Sequence, residues 1–241
     1  MTSNRTAALA PVQVALIALF VTALVTAQLT ASKVLAFSLP VALPVTGATL
    51  SLPGAALAYA LTFFASDCYA ELYGKRAAQV LVNVAFAMNF VLLALVWSTI
   101  LAPAAPTSID PTTFRQVLGS STNIVIASLA AYVVSQNWDV LVFHRLRELT
   151  DGDSLWLRNV ASTASSQLID TVIFVTLGFL LVPQVLGVGV ALPLGAVAGL
   201  IVGQYLLKLL IAVVDTPFVY AVVGFARSRD RAAEAPTGEP Q

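Results

Sequence analysis

Charged residues, cysteine and histidine are scarce in this sequence. Asp, Glu, Lys and Arg make up 10% of its 241 residues, against about 25% in a typical soluble domain. One cysteine, Cys68, excludes an internal disulfide and a cysteine-based zinc site, and one histidine, His144, excludes motifs such as H-E-x-x-H. Neither a G-x-S-x-G motif nor a P-loop occurs. We therefore predict that the protein is not an enzyme, uses no metal or cofactor and does not itself hydrolyse ATP by the P-loop route.

Apolar residues, by contrast, are abundant. They make up 59% of the chain, and the mean hydropathy is +0.89. This composition indicates an integral membrane protein, and a formal net charge of zero argues against nucleic acid as a partner. The length suits one helical bundle. We divide the chain into a cytoplasmic N-terminal segment (residues 1–10), a transmembrane domain (11–225) and a basic, disordered cytoplasmic tail (226–241).

The apolar residues form six stretches that are each about long enough to cross a bilayer, since a helical span needs about 20 residues. The sequence therefore predicts an all-α integral membrane protein with six transmembrane helices in one bundle. The first stretch is long for a signal peptide, which favours a retained helix. Residues 34–53, interrupted by prolines, predict an apolar loop or short hairpin, and residues 102–119 a polar loop ending in a short helix. The last stretch should tilt, break or kink near Pro217. The six predicted spans are 11–31, 54–73, 77–101, 120–143, 158–182 and 194–225.

Positive charges are distributed unequally between the two ends of these spans. Lys and Arg accumulate in cytoplasmic loops, and nine of them fall on one side of a six-span topology, whereas only Arg115 falls in an opposite loop. We therefore expect both termini to be cytoplasmic, in a multi-pass protein of the cell inner membrane. The nine residues are Arg5, Lys75, Arg76, Arg145, Arg147, Arg158, Arg227, Arg229 and Arg231.

Several ionisable residues lie within the predicted spans, where a carboxylate costs roughly 2.5–3.5 kcal/mol even on lenient insertion scales. Asp67 follows an uncharged run, and Asp170 is the deepest acid of the chain. One interpretation is structural: Asp170 and Lys208 pair to orient helices, with no ligand involved. So large a set instead favours a polar cavity. The embedded set is Lys33, Asp67, Asp139, Asp170, Lys208 and Asp215, with Glu71 at the margin.

Small residues recur every four positions on the first and last spans, in a pattern that lets helices approach closely. Ala23, Ala27 and Ala31 predict packing inside the bundle. Gly195, Gly199 and Gly203 predict a second packing stripe. Cys68 is interpreted as a small packing residue and His144 as a solvated residue near the interface.

Five motifs, in order along residues 11–225, resemble the queuosine-precursor transporter family, with Gln28 and Ser66 where Asn and Thr are expected. The resemblance implies a six-helix membrane protein, similar in outline to the substrate-binding subunits of energy-coupling-factor vitamin transporters. It implies import of 7-deazaguanine bases, such as 7-cyano-7-deazaguanine (preQ0), for tRNA modification. The motifs are Gln28-Leu29-Thr30-Ala31-Ser32-Lys33, Ser66-Asp67 with Glu71-Leu72-Tyr73-Gly74-Lys75, Trp156-Leu157-Arg158-Asn159, Ser166-Gln167-Leu168-Ile169-Asp170-Thr171 with Phe174, and Lys208 through Thr216-Pro217.

This substrate class suits the embedded polar residues. A deazaguanine presents adjacent N–H donors that one carboxylate can accept together, while its carbonyl and nitrile accept from lysine or amide donors. Asp67, Glu71 or Asp170 is a candidate for the first role. Lys33, Lys208 or Gln167 is a candidate for the second, and Gln204 shares a helical face with Lys208. A flat ring also needs an aromatic or apolar wall, for which Phe63, Phe64, Tyr69 and Phe174 are candidates.

Two energy sources are compatible with the sequence. Asp67, Glu71 and Asp170 suggest proton coupling as a hypothesis. The alternative function is a substrate-binding subunit of an energy-coupling-factor vitamin transporter, which needs a separate ATPase module; the Ala23, Ala27 and Ala31 stripe would then be a docking face. Candidate partners are thus the deazaguanine, the lipid bilayer, and a second copy of the chain or an energising subunit.

Overall fold

The apolar stretches form long helices, because backbone groups inside a bilayer must bond within their own segment. The computed structural model of the protein describes residues 10–43, 45–150 and 155–234. The predicted N-terminal segment, apart from Ala10, and residues 235–241 of the predicted tail therefore lie outside the described residues. The elements are α1 Pro11–Thr30, β1 Val34–Leu43, β2 Gly47–Pro53, α2 Ala56–Tyr73, α3 Lys75–Leu101, α4 Pro111–Gly119, α5 Ser121–Leu149, α6 Leu155–Thr176, a π-helical segment Leu177–Leu181, α7 Val182–Leu186 and α8 Leu194–Glu234.

Five helical segments of the described chain are long and apolar enough to cross a membrane: Pro11–Thr30, Lys75–Leu101, Pro111–Leu149, Val160–Leu186 and Leu194–Ser228. The sixth long helix, α2, has 18 residues and carries the two acids Asp67 and Glu71. It packs against α1, α3 and α8 and joins the hairpin to the start of α3. The prediction of an all-α membrane protein is confirmed. We call the two ends of the bundle the hairpin end, which carries β1 and β2, and the basic end, where Lys75 begins α3.

The proline-interrupted segment after α1 forms an antiparallel hairpin, one of the two alternatives predicted for it. β1 pairs with β2 in a register that sets Val34 opposite Pro53 and Ser38 opposite Thr49. The hairpin lies against α8, where a Cβ atom added at Gly203 would clash with the backbone oxygen of Ser51. Of the predicted glycine stripe, Gly203 and Gly199 therefore face this strand rather than another helix, whereas an added Cβ at Gly195 has no described atom within 4 Å.

Gly203→Ala is expected to destabilise the protein by about 1–3 kcal/mol, because the new methyl group meets backbone that must move away. The matched control is Gly195→Ala in the same helix, where an added Cβ has no described atom within 4 Å. That control should be neutral, or stabilising by up to about 1 kcal/mol through helix propensity. Thermal unfolding in detergent measures both, and equal unfolding temperatures would contradict the close approach.

The loop after α3 ends in the predicted short helix, α4. Asp110 caps it: its carboxylate accepts hydrogen bonds from the backbone N–H of Thr113 at 2.7 Å and from the Thr113 hydroxyl at 2.9 Å. These bonds favour the ionised form and lower the pKa of Asp110. Arg115 of α4 lies 5.4 Å from the centre of the Trp97 ring, which ties this end of α3 to α4.

Helix boundaries differ from the prediction at three places. α5 continues to Leu149, beyond the predicted residue 143, and the fifth span contains a π-helical segment and α7, which no sequence signal indicated. α8 runs unbroken through Pro217 to Glu234. Proline is tolerated in membrane helices when other groups satisfy the freed backbone. Residues 226–234 were predicted to be disordered, but they continue α8. Their Arg, Ala and Glu residues are good helix formers.

The small residues of α1 and α2 lie inside the bundle. Ala23, Ala27 and Ala31 are at most 6% exposed, so the predicted internal packing is confirmed and this stripe offers no open docking face for an ATPase module. Cys68 is also fully buried, in a cluster with Leu16 and Ala78, and is a packing residue as predicted.

Candidate functional site

A mostly apolar cavity of about 90 Å³ lies within the bundle toward the hairpin end. That volume holds several water-sized groups. Its walls come from α1, α2, α3, α5, α6 and α8, so only the assembled bundle creates it. We call it the central cavity. Its polar lining is Gln28, Ser128, Asp170, Gln204 and Lys208, and its aromatic lining is Tyr59, Phe86, Tyr132 and Phe174.

A buried ion pair joins two walls of the central cavity. Lys208 Nζ of α8 lies 2.5 Å from Asp170 Oδ2 of α6, and the side chains are 3% and 17% exposed. Ser135 Oγ donates to Asp170 Oδ1 at 3.4 Å, and Lys208 Nζ lies 5.6 Å from the centre of the Tyr59 ring. The pairing that the sequence suggested is present. Both side chains also face the cavity, so the pair is available to a ligand as well as joining two helices.

Two glutamines that line the central cavity each have a side-chain oxygen without a partner. Gln28 Nε2 donates to Ser128 Oγ at 3.3 Å, which leaves Gln28 Oε1 as an acceptor. Gln28 Oε1 and Gln204 Oε1 are buried and have no hydrogen-bond partner among the described residues. A buried acceptor left unpaired costs about 1–3 kcal/mol. This arrangement suits a ligand that brings N–H donors.

Aromatic rings form another wall of the cavity. The rings of Phe86 and Tyr132 are stacked, with centroids 4.8 Å apart and an interplanar angle of 21°. The Tyr132 hydroxyl is held in place, since it accepts from Gln79 Nε2 at 2.7 Å and donates to Asn83 Oδ1 at 3.1 Å. A planar heterocycle can stack on such fixed rings.

The predicted aromatic wall is only partly reproduced. Phe174 lines the central cavity, while Phe63 lines a second cavity that is described below. Phe64 lines a shallow apolar groove between α2 and α8, and Tyr69 is buried, where its hydroxyl accepts from Gln13 Nε2 at 3.0 Å. Tyr59 was missed, although it lies one helical turn before Phe63 on the same face of α2. Phe86, Tyr132 and Gln28 were also missed as site residues.

A second, larger cavity of about 740 Å³ lies between α2, α6 and α8 toward the basic end. We call it the vestibule. Asp67, Glu71, Gln167 and Asp215 line it. Gln167 Oε1 and Asp215 Oδ2 are buried there without a hydrogen-bond partner in the described part of the chain. Among the residues described, Lys208 alone lines both cavities.

The structure therefore separates the seven predicted site residues into three groups. Asp170, Gln204 and Lys208 line the central cavity, and Asp67, Glu71 and Gln167 line the vestibule. Lys33 lines neither cavity; it is exposed in the turn between α1 and β1, where its carbonyl accepts from the backbone N–H of Gly54.

The other acids and the histidine have local surroundings of their own. Asp139 of α5 accepts from Ser166 Oγ of α6 at 3.3 Å, outside both cavities. At the basic end, Glu71 Oε2 lies 3.9 Å from the Arg227 guanidinium nitrogen Nη2. His144 is exposed beside Phe143, in keeping with the prediction that it is solvated.

Residues 53–222 match the family described as "Putative vitamin uptake transporter". The chain belongs to this transporter family. A "Probable queuosine precursor transporter" of Bacillus subtilis (strain 168) is 32% identical over 164 residues, 68% of each chain. A protein with the same description from Haemophilus influenzae (strain ATCC 51907 / DSM 11121 / KW20 / Rd) is 43% identical over 56 residues, 23% of each chain. No solved structure matches.

Family membership confirms the resemblance found in the sequence. A member of a transporter family with five long apolar helices is a multi-pass plasma-membrane protein. The matched region, residues 53–222, contains Asp170, Gln204 and Lys208 and all the vestibule residues, whereas Gln28 of α1 lies before it.

Proposed function

We propose that the protein imports queuosine precursors, that is, 7-deazaguanine bases, through the central cavity. The similarity to two proteins described as "Probable queuosine precursor transporter" suggests the substrate. The observation that carries the proposal is the pair of unpartnered amide oxygens, Gln28 Oε1 and Gln204 Oε1, in a cavity that also holds the Asp170 carboxylate. Three acceptors in one cavity with aromatic walls suit a flat base with several N–H donors.

In this proposal each part of the cavity has one task. Asp170 accepts two adjacent N–H groups of the base, since a carboxylate binds such an edge with both oxygens. Gln28 and Gln204 accept further N–H groups. Phe174 and the stacked Phe86 and Tyr132 rings enclose the ring faces. Lys208 compensates the charge of Asp170 when no substrate is bound.

Uptake by the purified protein alone tests the proposal. Sealed vesicles containing only this chain should accumulate radiolabelled 7-cyano-7-deazaguanine, and unlabelled 7-aminomethyl-7-deazaguanine should be tried as a competitor to identify the preferred precursor. A 7-deazaadenine should compete poorly, because its edge presents a different order of donors and acceptors. Binding without uptake by the lone protein would instead support the alternative of a binding subunit that needs an ATPase module. Absence of both binding and uptake would overturn the proposal.

We further propose that the basic end is cytoplasmic and the hairpin end faces outward, since Arg145, Arg147 and Arg227 are exposed at the basic end. In a Cys68→Ser background, the cysteine of Arg147→Cys should resist a membrane-impermeant thiol reagent added outside cells and react after permeabilisation. A cysteine introduced at exposed Val41 of the hairpin is the control and should react from outside. External reactivity at position 147 would contradict this orientation.

A further inference from the structure

The two cavities are arranged in series along the same three helices. On α2, Tyr59 lines the central cavity and Phe63, one turn later, lines the vestibule. On α6, Asp170 lines the central cavity, and Gln167, three residues earlier, lines the vestibule. One helical turn rises about 5.4 Å. The part of the bundle that separates the two cavities, which we call the partition, is therefore about one helical turn thick. Lys208 lines both cavities, so its ion pair with Asp170 lies at the partition.

Gln167 offers a second acceptor within this partition. Gln167 and Asp170 lie on one face of α6, where Cβ atoms spaced i, i+3 are about 5–6 Å apart. Gln167 lines the vestibule together with Lys208, and its Oε1 is buried and has no hydrogen-bond partner among the residues described. Burying an acceptor without a partner is unfavourable, so the unpaired Gln167 Oε1 needs an explanation. A hydrogen bond that it accepts from an ammonium group in another state of the protein would explain it.

We propose that Lys208 is a two-position gate, which bonds to Asp170 in the closed state and to Gln167 Oε1 when a substrate takes Asp170. This inference rests on the proposed function and adds a role for Gln167 that differs from substrate binding. The N–H groups of the base compete with the ammonium for the same carboxylate oxygens. Lysine suits this task because its ammonium is a point charge on a flexible stem.

The vestibule also stabilises the displaced charge. Asp215 lies two helical turns beyond Lys208 on α8 and lines the same vestibule, with Oδ2 buried and without a hydrogen-bond partner in the described part of the chain. An ammonium moved toward Gln167 therefore moves toward a carboxylate. When Lys208 bonds to Gln167, its ion pair with Asp170 is broken and the central cavity opens toward the vestibule.

The test compares Gln167→Leu with Gln167→Glu in purified protein, using 7-cyano-7-deazaguanine as the probe. Gln167→Leu should weaken the Kd and lower the maximal uptake rate, each about tenfold, because a base that displaces the ammonium from Asp170 then leaves that ammonium without an acceptor. The loss of affinity should depend on Lys208: in a Lys208→Gln background, Gln167→Leu should change the Kd by less than about twofold. Gln167→Glu restores an acceptor for the ammonium and should recover most of the rate. The matched control is Thr163→Val, one turn earlier on the vestibule face of α6, which should change neither quantity.

The possible outcomes separate this inference from the proposed function. If wild-type protein neither binds nor transports the base, the proposed function fails and the gate fails with it. If wild-type protein transports the base and Gln167→Leu has a normal maximal rate, the gate alone is overturned. A Kd that Gln167→Leu weakens equally in the wild-type and Lys208→Gln backgrounds would also overturn it, because Gln167 would then bind the base directly. Loss of folded protein in both Gln167→Leu and Gln167→Met would overturn it as well, because Gln167 would then be structural.

Discussion

Asp170→Asn is expected to lower the free energy of unfolding by about 3–5 kcal/mol, because it leaves the buried Lys208 ammonium without its carboxylate. Thermal unfolding in detergent measures the effect. A matched control is Glu148→Gln, which breaks the ion pair of Arg145 and Glu148, whose side chains are 70% and 67% exposed. Removing that exposed pair should cost less than about 1 kcal/mol.

The double variant Asp170→Asn/Lys208→Gln separates the structural role of the pair from its role toward substrate. Removing both charges should restore most of the lost stability, since neither ion is then left unpaired. Uptake of 7-cyano-7-deazaguanine should remain lost, because an amide cannot accept two adjacent N–H groups as a carboxylate does. Recovery of uptake together with stability would mean that Asp170 serves only to pair with Lys208.

Gln28→Leu and Gln204→Leu are expected to weaken affinity without lowering stability. Each change removes a buried oxygen that has no partner among the described residues. The unfolding temperature of Gln204→Leu should therefore stay the same or rise, and in Gln28→Leu this gain should offset the lost hydrogen bond to Ser128. Each also removes an acceptor for the base, which should weaken the Kd roughly 5- to 150-fold, from the 1–3 kcal/mol of a lost buried hydrogen bond. Isothermal titration with 7-cyano-7-deazaguanine measures the Kd.

Gln13→Leu is the control for both glutamines. Gln13 also lies on α1, but its Nε2 donates to the Tyr69 hydroxyl and it lines neither cavity. Its replacement should lower stability by about 1 kcal/mol and leave the Kd unchanged. An unchanged Kd in Gln28→Leu and Gln204→Leu would contradict the assignment of their oxygens to substrate.

The sequence predicted the helices well because each depends on its own local pattern. Apolar runs of about 20 residues cross a bilayer whatever surrounds them. The prolines and glycines of residues 34–53 likewise indicated a break. The π-helical segment Leu177–Leu181 and the continuation of α8 through Pro217 depend on packing between helices, and no local signal predicted them.

The site was only partly predictable, because depth along a helix does not say which cavity a residue faces. Asp67 and Asp170 both belong to the embedded acids, yet one lines the vestibule and the other the central cavity. Gln28 and Tyr132 reach the central cavity from α1 and α5, and uncharged polar residues stand out little in a sequence. The i, i+4 spacing of Gln204 and Lys208, by contrast, correctly placed both on one wall.

Protection of an introduced thiol tests most directly whether the central cavity is the substrate site. Ser128→Cys, in a Cys68→Ser background, places a thiol in the central cavity, and Thr163→Cys places one in the vestibule. Saturating 7-cyano-7-deazaguanine should slow alkylation at position 128 by at least tenfold and leave position 163 nearly unchanged. Equal alkylation of position 128 with and without the base, or protection at position 163 alone, would contradict binding in the central cavity.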